Sequence, residues 1–227
     1  AQAKTCLKDK IEEKDCKNLG FEEKVFSVLS VGECEDEFLD DSKNEECWPA
    51  SGCTIKATAQ ALIALEDSGN SVDHTEAWLL DQKTNPSEIT WYLQIESSQE
   101  TKCKISYLDK DYEIIINKEK QISSGAGNCL ALSEGKWWLR IAPSCYGEEF
   151  EISCDQNFLT NLLFKNQNSA TIHVSEKTTP SSANGLNIEK VESFCFGQNN
   201  KCDYEGSLWA AMALKYTKNN IDSYLPY

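Results

Sequence analysis

Cysteine is the reactive residue that dominates this sequence, with 11 cysteines among 227 residues. Cysteines bind zinc as thiolates or pair as disulfides. A zinc site is typically recognised in a sequence by Cys-x-x-Cys pairs or by cysteines near histidines. The chain has no Cys-x-x-Cys, and its two histidines are the isolated His74 and His173. We therefore predict disulfides made in an oxidising compartment, and no metal or other cofactor. Because the number is odd, at least one cysteine is a free thiol or bonds another chain.

Four of these cysteines bracket two short loops. Cys47 and Cys53 enclose CWPASGC, and Cys195 and Cys202 enclose CFGQNNKC. Each pair either closes its own loop or connects that loop to the preceding helix, so all four are disulfide candidates.

We recognise no catalytic motif in the sequence. His74 follows Asp73 at the start of a predicted helix, and His173 lies in a predicted strand, and neither has a Ser or Cys nucleophile nearby in sequence. The segment SSGAGN has glycines but neither a phosphate-binding Lys nor a dinucleotide-binding pattern. We predict no catalytic residue and no cofactor-binding residue.

Two pairs of adjacent aromatic residues could bind a partner. Trp91-Tyr92 and Trp137-Trp138 lie on predicted strands, where neighbouring side chains point to opposite faces. An exposed Trp stacks on sugar rings or anchors a protein partner. Trp91, Trp137 and Trp138 are therefore candidate partner or glycan contacts; the alternative is that they pack between the β module and the helices.

The formal net charge of -15 excludes one class of partner. A surface this acidic repels phosphate backbones, so we expect no nucleic acid. No run approaches the roughly 18 consecutive apolar residues of a membrane span, so we expect none. The most acidic stretch, residues 33–47, lacks the spacing of a calcium-binding loop and is predicted to be a solvated loop.

Helical patterns occupy the first third of the chain. Residues 1–31 read as helix, and a second helix begins after Thr54, which can cap it, and stops at Gly69. A further helix follows from Asp73, so the two form a hairpin.

From about residue 86 the pattern changes to short runs rich in Ile, Tyr, Trp and Val, several of which alternate with period two. The run LALSEGKWWLRIA is assigned to one strand, and residues 177–185 to a linker that leaves the module. Six or more such strands predict a β-sandwich or barrel.

The helical pattern returns late in the chain as a second copy. CTIKATAQALIAL, from Cys53, aligns without a gap with CDYEGSLWAAMAL, from Cys202. Matching cysteines, helix start and helix stop predict two copies of one hairpin, separated by an inserted β module.

This repeat resembles a known helical hairpin. The pattern W-P-x(3)-C-T-I-K-A-T-A-Q-A-L-I-A-L, a Gly-Asn turn and A-W-L-L-D-Q is similar to the repeat of the prenyltransferase and squalene-cyclase superfamily, also used by thioester domains of macroglobulins, and more narrowly to secreted, cysteine-bearing archaeal relatives. It covers residues 47–82 and 195–227 and implies hairpins packed into an α/α toroid. The family's Asp-x-Asp-Asp acid, zinc ligands and Cys-Gly-Glu-Gln thioester are missing here, so its chemistry does not transfer.

The predicted fold is α+β, with toroid-type helical hairpins interrupted by an antiparallel β-sandwich-like module and stabilised by disulfides. The predicted regions are 1–85 (helical, first repeat), 86–180 (β module) and 181–227 (linker, and second repeat packed on the first). Each hairpin needs a neighbour, and since the chain ends at Tyr227 where another helix would follow, we expect a partner there.

The predicted function is a non-enzymatic extracellular or cell-surface structural or adhesive protein. It would associate with itself through the helical repeats, as an oligomer or filament, or with other surface proteins. The alternatives are a terpenoid-cyclase-like enzyme or lipid-binding protein, which needs a deep apolar cavity between helices, and a carbohydrate-binding module.

Overall fold

A computed structural model describes residues 2–198 and 201–227, so that Asn199 and Asn200 of the predicted loop CFGQNNKC lie outside the described residues. The helices of the described chain are α1 (Gln2–Lys14), α2 (Phe21–Val31), α3 (Glu35–Asp40), α4 (Ile55–Ser68), α5 (Asp73–Asp81) and α6 (Tyr204–Tyr216). Its strands are β1 (Lys83–Thr84), β2 (Ile89–Ser97), β3 (Thr101–Tyr107), β4 (Lys110–Ile116), β5 (Leu130–Leu132), β6 (Leu139–Ile141), β7 (Glu149–Cys154), β8 (Phe158–Asn166), β9 (His173–Ser181), β10 (Asn187–Lys190), β11 (Cys195–Gln198) and β12 (Lys201–Cys202).

The chain forms two compact units, which are described separately. The helical unit contains the chain up to Pro86 together with Phe194–Leu225, and the β unit contains Ser87–Ser193. All strand pairs are antiparallel. The predicted combination of helices, antiparallel sheets and disulfides is confirmed.

The predicted α/α toroid is wrong. Antiparallel sheets make up much of the molecule, and the described chain has only six helices, one of which is a six-residue segment. Even the helical unit contains a sheet, in the order β1-β11-β12. The Ala-rich motif that suggested the family specifies that two helices pack closely, but it specifies neither the number of hairpins nor closure into a ring.

Helix α4 is the centre of the helical unit, and its ends are those predicted. The Thr54 side chain accepts a hydrogen bond from the N–H of Ala57 at 3.2 Å, and Gly69 ends the helix with a left-handed φ of 77°. Both sides of α4 are buried. One side packs on α2 through Ala57, Ala61, Ala64 and Leu65, and the other packs on α6 through Ile55, Ala59 and Leu62.

The acidic segment 33–47, predicted as a loop, contains the short helix α3. Its Phe38 is fully buried and stacks on the Trp48 ring with the centroids 5.4 Å apart. The Trp48 indole N–H also donates to the Phe38 carbonyl at 3.0 Å. Charge dominates the sequence pattern, but Phe38, the Cys16–Cys34 disulfide and the Lys24–Asp41 ion pair at 2.8 Å hold the segment against the core.

The β unit consists of two antiparallel sheets, with strand orders β10-β7-β3-β4 and β5-β6-β2-β8-β9. Strand β2 alternates buried and partly exposed residues along its whole length, as its period-two sequence predicts. Disulfide Cys103–Cys154 joins β3 to β7. A buried contact of 2.5 Å between the Thr160 hydroxyl and the Glu189 carboxylate joins β8 to β10.

Two assignments within the β unit are wrong. LALSEGKWWLRIA is a pair of strands, β5 and β6, and the turn between them carries Trp137 and Trp138. The left-handed Gly135 allows this reversal, at a φ of 78°. The segment 177–185, predicted as a linker, contains the end of β9, whose edge position tolerates polar residues and Pro180.

The loops before α4 and α6 are held by equivalent hydrogen bonds. The Thr58 hydroxyl accepts from the Trp48 N–H at 3.1 Å and donates to the Trp48 carbonyl at 3.3 Å. In the second copy the Ser207 hydroxyl accepts from the Phe196 N–H at 2.8 Å and donates to the Phe196 carbonyl at 3.0 Å. A buried hydroxyl thus satisfies both backbone groups of the aromatic residue in each loop.

Replacing Ser207 with Ala should lower the free energy of unfolding by about 1–3 kcal/mol, because the buried Phe196 N–H loses its partner, whereas the Phe196 carbonyl keeps the Asp203 N–H at 2.8 Å. Urea unfolding followed by helical circular dichroism measures the change. Ser30→Ala is the matched control, since that hydroxyl bonds only the Phe26 carbonyl of its own helix. The control should change stability by less than about 0.5 kcal/mol, and equal losses in the two variants would contradict the assigned role of Ser207.

Candidate interaction surface

The cysteines predicted to form disulfides lie in two short loops. Cys47 bonds Cys53 and Cys195 bonds Cys202, with Cα–Cα distances of 5.5 and 5.7 Å. Three further disulfides are Cys16–Cys34, Cys103–Cys154 and Cys129–Cys145. The odd thiol is Cys6, exposed on α1.

The structure separates the three candidate Trp residues. Trp91 is only 3% exposed and packs against Phe164 with ring centroids 5.0 Å apart. Trp138 is half-buried against Tyr92 at 5.9 Å. Trp137, beside it, is 45% exposed, so this is the ring that a ligand can reach.

The two histidines belong to different units. His74 is exposed in the first turn of α5, and His173 of the β unit stacks on Phe164 at 5.1 Å. Within residues 2–198 and 201–227, no three His, Cys, Asp or Glu side chains are placed to hold a metal ion. The helices in the same ranges are too short or too polar to cross a membrane.

The most distinctive surface of the helical unit is on α6, and it follows from how α6 packs. Ala210, Ala213 and Leu214 of α6 are buried against α4. When Cys202 is aligned with Cys53, these positions correspond to Ala61, Ala64 and Leu65, which α4 buries against α2. Each helix therefore uses the same small-residue side to cover the helix before it.

The opposite side of α6 has no helix of this chain to cover it in the described structure. The α4 positions that pack towards α6 include Ile55, Ala59 and Ile63. In the alignment they correspond to Tyr204, Leu208 and Met212 of α6, which are 69%, 54% and 51% exposed. Together with Tyr216 they form an apolar row at every fourth residue, which we name the α6 ridge.

Ion pairs at the helix starts fix the orientation of α6. The Lys56 Nζ lies 2.9 Å from a Glu22 carboxylate oxygen and 2.8 Å from a Glu205 carboxylate oxygen, so it joins the first turns of α2, α4 and α6. Hydrogen bonds to Glu205 and Glu22 raise the pKa of Lys56, and the hydrogen bond from Lys56 lowers the pKa of Glu22.

At the other end of the helices, the Tyr216 hydroxyl donates to Asp67 at 3.0 Å. This hydrogen bond raises the pKa of Tyr216. Contacts at both ends show that α4 and α6 run parallel, and the last ring of the α6 ridge, Tyr216, reaches α4 through its hydroxyl.

Sequence reasoning did not identify the α6 ridge, although the signal was present. Helix α6 is apolar on nearly every side, and such a helix is normally buried all round. The alignment makes Ala210, Ala213 and Leu214 equivalent to Ala61, Ala64 and Leu65, but the structure is needed to show which neighbour each side faces.

Comparison with known proteins identifies no relative. No protein-family model matches the chain, no curated protein is similar to it, and no solved structure matches it. The resemblance to the squalene-cyclase superfamily is therefore wrong, because the architecture differs and no family model supports it, while the terpenoid-cyclase-like or lipid-binding alternative stays an untested prediction.

Replacing Lys56 with Met should destabilise the helical unit in a pH-dependent way. The folded pKa of Glu22 is below its unfolded value, so its contribution is complete above about pH 5 and is lost as the pH falls through the lowered pKa. The folded pKa of Lys56 is raised, so its contribution is complete below about pH 10 and is lost as the pH rises further.

Urea unfolding at pH 7 and at pH 3 should therefore show a larger difference between the parent and Lys56→Met at pH 7. Lys10→Met is the control, because Lys10 makes no salt bridge with any residue that the structure describes. A loss of stability in Lys56→Met that is the same at both pH values would contradict the role of the ion pairs.

Proposed function

We propose that the protein is a non-enzymatic structural or adhesive component of the cell surface or extracellular space that associates with itself through α6. The observation that carries this proposal is the α6 ridge, an exposed apolar row at the positions where the equivalent helix α4 is covered by a neighbouring helix. Large exposed apolar patches on soluble proteins mark interaction sites.

The disulfides support the proposed location. Three disulfides lie within the helical unit and two within the β unit, and such bonds persist in oxidising compartments and are rare in the cytosol. We further propose that the two antiparallel sheets of the β unit are the halves of a β-sandwich, an architecture common in cell-surface domains. The whole would then be a durable module built for contact with other molecules.

The energetics of the α6 ridge favour weak, reversible association. Full burial of one large apolar side chain is worth about 1.5–3 kcal/mol. Association costs about 4–15 kcal/mol in lost freedom of motion. The four ridge side chains of each of two copies, about half exposed in the single chain, contribute roughly 6–12 kcal/mol when buried, which is of the same order as that cost. We therefore expect association no tighter than a dissociation constant of about 1 μM.

Leu208→Asp should weaken self-association by about 100-fold or more, because the carboxylate would be buried in the apolar contact. Sedimentation equilibrium from about 1 to about 500 μM, spanning the expected range, measures this change. The variant should still fold, since Leu208 is 54% exposed in the single chain.

Leu186→Asp is the matched control for that experiment, because Leu186 is 58% exposed but belongs to the β unit. It should associate like the parent. A parent chain that stays monomeric throughout the range, or two variants that weaken association equally, would contradict the proposal.

A second candidate function is glycan binding by the β unit, favoured by the exposed Trp137 beside the Tyr92–Trp138 pair. Aromatic faces stack on sugar rings. Trp137→Ala should then abolish binding to a glycan array, while Tyr204→Ala, which removes an exposed ring from the helical unit, should leave it intact. Absence of binding by the parent chain, or loss in both variants, would rule out this role for Trp137.

A further inference from the structure

Resting on the proposed self-association, we infer its geometry: two copies pair their α6 helices antiparallel about a two-fold axis near Ala210, and the assembly closes as a dimer. A two-fold interface requires a surface that is complementary to itself. Three features of the helical unit favour that arrangement: the order of side chains along the α6 ridge, the charges at its ends, and the small exposed apolar surface of α2, which is limited to Phe26.

The α6 ridge has the same order of side-chain types in both directions. Tyr204 and Tyr216 are its ends, and Leu208 and Met212 are its middle, so that Ala210 lies at the midpoint. Rows of residues four apart are the ridges that most often pack together in globular proteins, at a crossing angle of about -50°. In an antiparallel pair, Leu208 of one copy lies beside Met212 of the second copy. Likewise, Tyr204 of one copy lies beside Tyr216 of the other.

The charges at the two ends of α6 distinguish antiparallel from parallel pairing. The start of the helix carries Asp203 and Glu205, and its end carries Lys215 and Lys218. Antiparallel pairing places the acidic start of each helix near the basic end of the other, within the roughly 10 Å over which exposed charges interact. Parallel pairing would place like charges together, and parallel helix dipoles would add to the repulsion.

The other end of the helix layer argues against a filament. A head-to-tail chain would need the side of α2 that faces away from α4 to receive α6 of the next copy. Part of that side contacts α1, through the Lys14–Glu23 ion pair at 2.7 Å and an apolar cluster of Ile11, Leu19 and Val31. Disulfide Cys16–Cys34 ties the connecting segment to the start of α3. The single exposed large apolar residue of α2 is Phe26, whereas the α6 ridge has four, so a second α6 matches the ridge better than α2 does.

Thiol cross-linking tests this geometry directly. In a Cys6→Ser background, which removes the exposed free thiol, Tyr204→Cys and Tyr216→Cys are prepared as separate chains. In the antiparallel dimer two copies of position 204 are at least about 18 Å apart, whereas 204 and 216 of different copies are neighbours. A short bismaleimide should therefore yield at least about tenfold more cross-linked dimer from the mixture of the two chains than from either alone.

A charge exchange provides the second measurement. Lys215→Glu should weaken the dimer about three- to tenfold, since the change occurs twice in a symmetric interface. Adding Glu205→Lys to it should restore the affinity, because positions 205 and 215 of the two paired helices again carry opposite charges. Thermal unfolding of the monomers at low concentration separates these effects from the loss of the Lys56–Glu205 ion pair.

The outcomes of the two experiments distinguish the two-fold dimer from a parallel pair, a filament and a monomer. Cross-linking of the mixture with restored affinity in the double variant supports the two-fold dimer. Cross-linking of each single variant with itself indicates a parallel pair, and association that grows beyond a dimer indicates a filament; both overturn the inference but leave self-association intact. A Cys6→Ser chain that remains monomeric at all concentrations overturns the proposed function itself.

Discussion

The close contact between α4 and α6 is the interaction on which the helical unit and its outer surface depend. Ala59 of α4 and Ala210 and Ala213 of α6 are fully buried there. A Cβ at Gly206 would lie 3.0 Å from the Ile55 Cβ, so only a residue without a side chain allows the start of α6 to approach without displacing α4. The close contact uses small residues of α6, and large apolar residues, including Leu208 and Met212, lie on its opposite side. The same packing that builds the core therefore exposes the α6 ridge.

The loops before the two helices make this contact specific. In each copy a disulfide closes the loop, and a hydroxyl on the following helix holds the backbone of a buried aromatic residue. The helix ends agree as well: Gly69 and Lys218 both have left-handed φ angles, 77° and 67°, at equivalent positions. A Lys in that conformation costs more than a Gly, which shows that packing, rather than local preference, determines where α6 ends.

Much of this local architecture could be predicted from the sequence, because it depends on short-range chemistry. Thr54 and Gly69 have physical roles as cap and stop, and alternating residues in β2 can bury only one face of a strand. The predictions that were wrong concern segments whose conformation depends on tertiary contacts or on a single turn residue. Phe38 helps to anchor an acidic segment by packing on Trp48, ten residues later, and Gly135 reverses the chain inside an apparently continuous strand. The toroid was inferred from a packing motif that many helical layers share.

The α6 ridge could not be identified from composition. An apolar residue on a helix is normally assigned to the core, and only the neighbours of each side of the helix show whether it is buried. Only the structure shows that α4 takes one side of α6 and that no described helix takes the other. Self-association through α6 thus follows from an asymmetry between two equivalent helices, one covered on both sides and one covered on a single side.

The most direct measurement uses the single methionine of the chain, Met212, which lies in the middle of the α6 ridge. Labelled with ¹³C at its methyl group, it gives one NMR resonance without need of assignment. The account predicts that this resonance shifts and broadens as the protein concentration rises through the micromolar range, with intermolecular contacts to Leu208. A methyl resonance that keeps the same position and width from dilute to concentrated solution would contradict it.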